Sequence, residues 1–485
     1  MHPTTSGTPS YGARYGARYG ARARRSPRRA PPGGGRSLAV RLAALALLLT
    51  LLASSAAALA QAAPEAVVLG QVPSWPLWIE AGRGLTAAVL AADGSLSWVD
   101  GATPDAGPIR IARALAGEQL SACGMALLVV DERGALRRLP RAPDLPVVSA
   151  VGPQVSRYHK AACAPDGSVV ALDPLGAVLL LSRELEPRAR AELAALPDAE
   201  PLIVDLGDTL AVAVLSEPTQ RYRHGTLGDE VEAAALTLLR LPDLTVLATW
   251  RPGAPAVIEA RRATPWRSAG AVGLHLTISD DAQGARLISL VWDGAALHLL
   301  TQGEPLGASQ LWLHLIGAGG EHVYAIHDPR GGGPFVHYRL RFPEAAWGEA
   351  AAPAAPALPA APALPAAPNA VLETASYDLG LVSHVDGERL LDRALLVGAL
   401  ATGGDLLLVP RADQRTLVWL RCDVGDCREI GEVTLGAALS TNVAASPAQG
   451  PVQAVVLADR SGTVWRLPLP LPLADEATPT APAER

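Results

Sequence analysis

The chain has 485 residues, 46 of them glycine and 42 proline, with 49% hydrophobic and 18% charged residues. That length exceeds the roughly 250–300 residues at which one core stops growing, so a lone compact core is excluded and several domains or a modular repeat are required. With 41 basic and 47 acidic residues the net charge is −6, and a chain without a basic excess does not attract phosphate backbones as a whole.

The first 60 residues differ from the rest. They hold nine arginines and no acidic residue, a threefold Tyr-Gly-Ala-Arg repeat over 11–22, and an apolar run over 42–60 broken by Thr50, Ser54 and Ser55. The run ends in Ala58-Leu59-Ala60 before Gln61. Basic flank, apolar run and small-residue exit are the three parts of a secretory signal, so the sequence predicts export and a mature chain beginning near Gln61. Nineteen residues also approach the roughly 20 that span a bilayer, which keeps an uncleaved membrane anchor as the alternative. Without the nine leader arginines, 32 basic residues face 47 acidic ones. The expected mature domain is therefore acidic and resides in the periplasm, at the cell surface or outside the cell, where cysteines pair.

From residue 66 onward short apolar runs alternate with turn signals, the pattern of an all-β fold. In 66–100 two runs flank Asp93-Gly94 and read as a hairpin with both central residues at positive φ. Asp166-Gly167 repeats the device. The spacing Asp-x-x-Gly recurs between apolar runs at Asp131/Gly134, Asp173/Gly176 and Asp459/Gly462. There the aspartate closes the turn and the glycine takes the left-handed exit. The first two copies lie 42 residues apart, within the period of a four-stranded propeller blade. Residues 185–196 have ambiguous spacing; further hairpin units follow at 202–215 with 234–249, 271–300, 310–342, 394–433 and 440–468. The predicted fold is a β-propeller of seven, alternatively eight, four-stranded blades, with a β-sandwich pair or barrel as the rival.

The domain reading is a leader and signal peptide over 1–60, blades over 61–349, an Ala/Pro-rich linker or inter-blade excursion over 350–368, blades closing the ring over 369–472, and a disordered tail over 473–485. The Ala/Pro stretch cannot sit inside a sheet, because proline donates no ladder hydrogen bond. Among the cysteines, Cys422 and Cys427 flank Asp423-Val424-Gly425-Asp426, a four-residue hairpin loop that sets them opposite each other and predicts a disulfide. Cys123 and Cys163 occupy similar places in neighbouring units and form the second candidate pair.

Two stretches carry a family resemblance. Ala164-Pro165-Asp166-Gly167-Ser168 resembles the strand-turn signature of bacterial WD40-like propeller repeats, and the stretch from Ala458 to Trp465 resembles the repeat of quinoprotein-type propellers. Both imply a propeller, and the second raises a quinone cofactor. Trp98, Trp419 and Trp465 follow Asp-containing turns at comparable offsets, yet the family's Ala-x-Asp-x-x-Thr-Gly-Lys-x-x-Trp form is nowhere complete. The tryptophans are therefore read as packing between sheets, and no cofactor is expected.

For metal binding, His314, His322, His327 and His337 fall on three successive predicted strands without converging, and no metal site is expected. No phosphate loop, nucleophile elbow or other catalytic motif sits in a fitting context, so no catalytic residue is assigned. What stands out is an insertion over 216–232 carrying Arg221, Tyr222, Arg223 and His224, followed one unit later by Arg261, Arg262 and Trp266. Arginine and aromatic groups in an acidic protein form a candidate basic, aromatic binding patch, with ordinary variable loops as its rival. The functional reading is a non-catalytic binding or scaffold module for a protein or glycan partner. The alternative is a propeller-fold hydrolase or lyase with carboxylates in its central channel.

Overall fold

The computed structural model describes residues 66–474, apart from 83, 143–149, 158, 194–196, 198–199, 208, 217–218, 224–225, 233, 254–256, 259–262, 269–270, 280–282, 306–312, 328–333, 343–369, 380, 382–392, 424 and 447–451. Chain contacts divide it into two units, Met1–Gln61 and Ala62–Arg485; the predicted leader lies outside the described residues. No helix among those described is long and apolar enough to cross a membrane.

Among the described residues the second unit has eight antiparallel sheets of four or five strands beside one two-stranded hairpin, which makes eight blades, the alternative that the sequence held beside seven. Blade 1 runs Pro76–Ala81, Thr86–Ala91, Leu96–Asp100 and Ile109–Ala112. Blade 2 runs Leu115–Cys123, Ala126–Asp131, Ala135–Pro140 and Ala150–Gln154; blade 3 runs Ala162–Cys163, Val169–Leu172, Val178–Leu181 and Pro187–Ala191. Blade 4 holds Leu202–Asp205, Leu210–Ser216, Ala235–Arg240 and Val246–Trp250, with the hairpin Thr219–Arg223/Thr226–Glu232 inserted after its second strand. In blade 5 the first strand is split into Val257–Ile258 and Thr264–Ser268, before Ala271–Ser279, Arg286–Trp292 and Leu297–Gln302. Blade 6 comprises Leu313–Gly319, His322–His327, Phe335–Arg341 and Val371–Tyr377; blade 7 comprises Leu395–Ala399, Asp405–Pro410, Thr416–Asp423 and Asp426–Thr434.

Blade 8 closes the ring. Ala444–Ser446, Ala454–Ala458 and Thr463–Pro468 are joined by the strand nearest the start of the unit, Val67–Gln71, which pairs with Thr463–Pro468 as the fourth strand. Val72 N–H continues the seam by donating to the Gly462 carbonyl at 2.9 Å.

Why these runs form such sheets is visible in their burial. A blade packs on neighbours through both faces, so its middle strands need apolar residues at every position rather than every second one. Ala126–Asp131, Asp405–Pro410 and Ala454–Ala458 are buried throughout. The outermost strands alternate towards solvent, as in Pro187–Ala191. Each pair of neighbouring blades shares an apolar cluster, including Leu69, Ile79 and Val456 between blades 8 and 1 and Leu408, Trp419 and Leu457 between blades 7 and 8. Burying one leucine in such a cluster contributes about 1.5–3 kcal/mol. The core is thus a ring of eight interfaces.

The Asp-x-x-Gly units are three-residue loops. In each, the glycine N–H donates back to the aspartate carbonyl (Asp131/Gly134 2.8 Å, Asp173/Gly176 3.0 Å, Asp459/Gly462 3.0 Å). The aspartate Oδ1 also accepts from the second and fourth N–H groups after it, as with Arg133 and Ala135. At Asp93-Gly94 only Gly94 has positive φ, so the primed two-residue turn is replaced by this same loop, closed from Gly94 N–H to Ala91 O. The ambiguous stretch after residue 185 contains a strand, Pro187–Ala191.

Cys123 and Cys163 have their sulfurs 2.04 Å apart and join the first strands of blades 2 and 3. Cys422 and Cys427 are direct ladder partners with sulfurs 2.10 Å apart. Their hairpin is tighter than expected, since Asp423 and Asp426 also pair. The Ala/Pro stretch lies outside the described residues. The strands on either side, Phe335–Arg341 and Val371–Tyr377, are neighbours in one sheet, so it connects two strands of the same blade.

Candidate functional site

Antiparallel alternation gives the ring two faces. One carries the connections from each blade to the next and the turns between second and third strands; we call it the connection face. First strands of successive blades touch, as Pro76–Ala81 does with Leu115–Cys123 and Leu313–Gly319 with Leu395–Ala399. They surround an axial cavity of ≈330 Å³ whose lining includes Lys160, Thr264, Ile316, Leu396, Asn442 and Val443, contributed by blades 3, 5, 6, 7 and 8 or the connections entering them.

Blade 1 carries charge near Lys160. Lys160 Nζ stands 4.2 Å from the centre of the Trp78 ring, a cation–π distance. Two residues on, Glu80 lies 3.8 Å from Arg141, which is fixed by donating Nε–H to Ala81 O at 2.8 Å and Nη1–H to Gly124 O at 3.0 Å. Burial pushes the Glu80 carboxyl above the usual range, and the charges of Arg141 and Lys160 pull it back. Asn442 stitches blade 8 to blade 1: its Oδ1 accepts from Ile79 N–H and its Nδ2 donates to Ile79 O, both at 2.9 Å.

On the connection face, Trp75 is 54% exposed. Its indole Nε1 hydrogen-bonds Ser440 Oγ, and the Arg460 guanidinium lies 6.0 Å from its ring. Beneath, Arg393 is buried and donates from Nη2 to Ser440 O at 3.4 Å, while its Nε and Nη1 have no partner. Burial lowers its pKa to about 10, and the like charge of Arg460 adds to that. Sequence reasoning missed this set, since Trp75, Arg393 and Arg460 are scattered along the chain.

Arg221, Tyr222 and Arg223 lie on the hairpin inserted in blade 4, which leaves its sheet towards the connection face. His224, Arg261 and Arg262 lie outside the described residues. Trp266 corrects the expectation: it is buried, donates Nε1–H to Leu290 O at 3.1 Å and packs on Phe342, so it belongs to the core rather than to a surface patch. Trp98 and Trp419 are likewise buried, and Trp465 donates Nε1–H to Asp459 Oδ2 at 3.0 Å.

Two of the four histidines do converge. His322 pairs with Arg339 across the ladder, so His337 is its diagonal neighbour, and Nδ1 of His322 meets Nε2 of His337 at 2.8 Å. His337 stacks on Tyr324, whose hydroxyl donates to Asp405 Oδ2 at 2.7 Å across to blade 7. Burial holds both imidazoles below their usual pKa and raises the Asp405 carboxyl. No group of three or more metal-ligating side chains occurs among the described residues.

No family model matches the chain, and no curated protein matches it. Similar solved structures include the computationally designed Ika8 protein (13% identity, 83% of this chain and 100% of that one, TM-score 0.46). Others are BamB from Moraxella catarrhalis (13%, 82% and 99%, 0.45) and the Dos1 propeller (12%, 84% and 96%, 0.47). Likeness at this level carries no argument about function, and the propeller assignment stands on the strand pairing above.

Proposed function

We propose that this chain is an exported, non-catalytic binding or scaffold module that engages a protein partner through its connection face. The observation that supports it most is Trp75, a large aromatic surface held by Ser440 and flanked by Arg460 on an otherwise acidic molecule. Arginine and tryptophan are the side chains over-represented where binding energy concentrates. Export is supported by the leader composition and by four cysteines lying as two pairs at disulfide distance. We read the repeats as WD40-like or quinoprotein-like in type, a reading supported by the Asp459–Trp465 contact.

The experiment places a photo-crosslinking amino acid at Trp75 in cells that make the chain, with a second at Leu85, which lies in a turn of the opposite face. A discrete adduct from position 75, absent from position 85 and reduced at least tenfold by Arg460→Glu, is expected. Equal adducts from both faces, or none from position 75, would refute the reading.

A further inference from the structure

We propose that the axial cavity is a binding site for a small monocarboxylate with an apolar body, with Lys160 as its counter-ion. The inference is independent of the partner surface at Trp75. A cavity of ≈330 Å³ is at the small end of the range used for compact ligands, and such sites combine apolar walls with a few placed polar groups. Here Ile316, Leu396 and Val443 supply the apolar part. The polar groups are of three kinds. Asn442 is spent, since both ends of its amide are bound to Ile79. Thr264 Oγ1 has no hydrogen-bond partner but also no accessible surface, so it is closed to a ligand. Lys160 has an ammonium group whose neighbour is the Trp78 ring.

Lys160 is the only lysine in the chain. It makes no ion pair with any described residue: Glu80, the carboxylate that feels its charge, has Arg141 as its close partner. Lys160 is half-buried, so its ammonium, with the Trp78 ring on one side, can still be reached by an anion. A ligand carboxylate lying against Lys160 completes an ion pair there. Ile316, Leu396 and Val443 then hold a hydrocarbon body, and Glu80 disfavours a dianion.

The full chain is titrated with 4-methylpentanoate and, separately, with the uncharged 4-methylpentanamide. Binding is read by calorimetry and by the rate at which an activated acetate ester acylates Lys160, followed by peptide mass spectrometry; the single lysine makes that signal unambiguous. The carboxylate should bind saturably and slow acylation at least fivefold, and the amide should bind at least tenfold more weakly. Lys160→Met should lose at least tenfold in affinity with the thermal transition retained. Should that variant not fold, Ala318→Trp fills the cavity from its other wall with the ammonium intact, and it too should lose binding. Equal binding of acid and amide, an acylation rate unchanged by saturating carboxylate, or undiminished affinity in Ala318→Trp would each overturn the proposal.

Discussion

At Gly462 the backbone sits at φ +88°, and a Cβ there would stand 2.4 Å from the Val72 carbonyl oxygen. The Gly94 carbonyl accepts from Leu115 N–H, and Gly134 from Val155 N–H, as Gly462 does from Val72. These turn glycines therefore also bind the chain as it crosses to the next blade, which gives the Asp-x-x-Gly repeat a second physical reason. Gly462→Ala should cost about 1–3 kcal/mol through strain and displacement of the closing strand, seen as a lower urea midpoint; an unchanged midpoint would show that the seam tolerates movement there. Arg393 works in the opposite sense. A buried guanidinium with two unpartnered nitrogens is a cost, and an apolar replacement of similar volume is commonly neutral or stabilising by about 1–4 kcal/mol. Arg393→Met should therefore melt at the same or a higher temperature, and a marked fall would reveal a structural partner. The turn aspartates and glycines were legible in the sequence because their chemistry is local. Arg393, Trp75 and the His322–His337 contact were not, because each depends on a neighbour brought in by another strand or blade.

Strand by strand, the short apolar runs were readable because a strand packed on both faces needs no polar alternation, and Val169–Leu172 or Leu406 to Val409 show that directly. The Cys422–Cys427 pair was readable too, although the ladder continues to Asp423 and Asp426 and shortens the turn. For Cys123 and Cys163 the difficulty was geometric, since blades splay outward from the axis. Both residues end up on first strands, where neighbouring sheets are closest, with Cα atoms 5.2 Å apart. A crosslink closing a separation of 40 residues contributes about 4 kcal/mol in the chain-entropy description, against about 2 kcal/mol for the short loop at Cys422. Cys163→Ser should accordingly lower the urea midpoint more than Cys427→Ser. The reverse order would mean that blades 2 and 3 are held by their apolar cluster alone.

For the whole molecule, the blade count was ambiguous because the unit at 66–100 mixes two sheets: Val67–Gln71 belongs to blade 8 and the rest to blade 1. Acid sensitivity is also a property of the ring. Burial depresses His275 to about 3, and His327 and His337 to about 4. These imidazoles stay neutral when folded but protonate near 6.5 when unfolded, so their stability contribution is full above pH 6.5 and is lost as pH falls towards 4. Each adds a slope of about 1.4 kcal/mol per pH unit in that window. The urea midpoint should fall between pH 7 and 5, with a shallower fall in His275→Gln; a flat profile would mean these rings are solvated. The seam that closes blade 8 has a further consequence, in the order of events rather than in energy. Gln71 bonds to Ser461 across 390 residues, and the ribosome adds roughly 5–20 residues per second. Val67–Gln71 thus waits on the order of 20–80 s for its partner to be made, an edge strand open to any other chain until the last blade arrives.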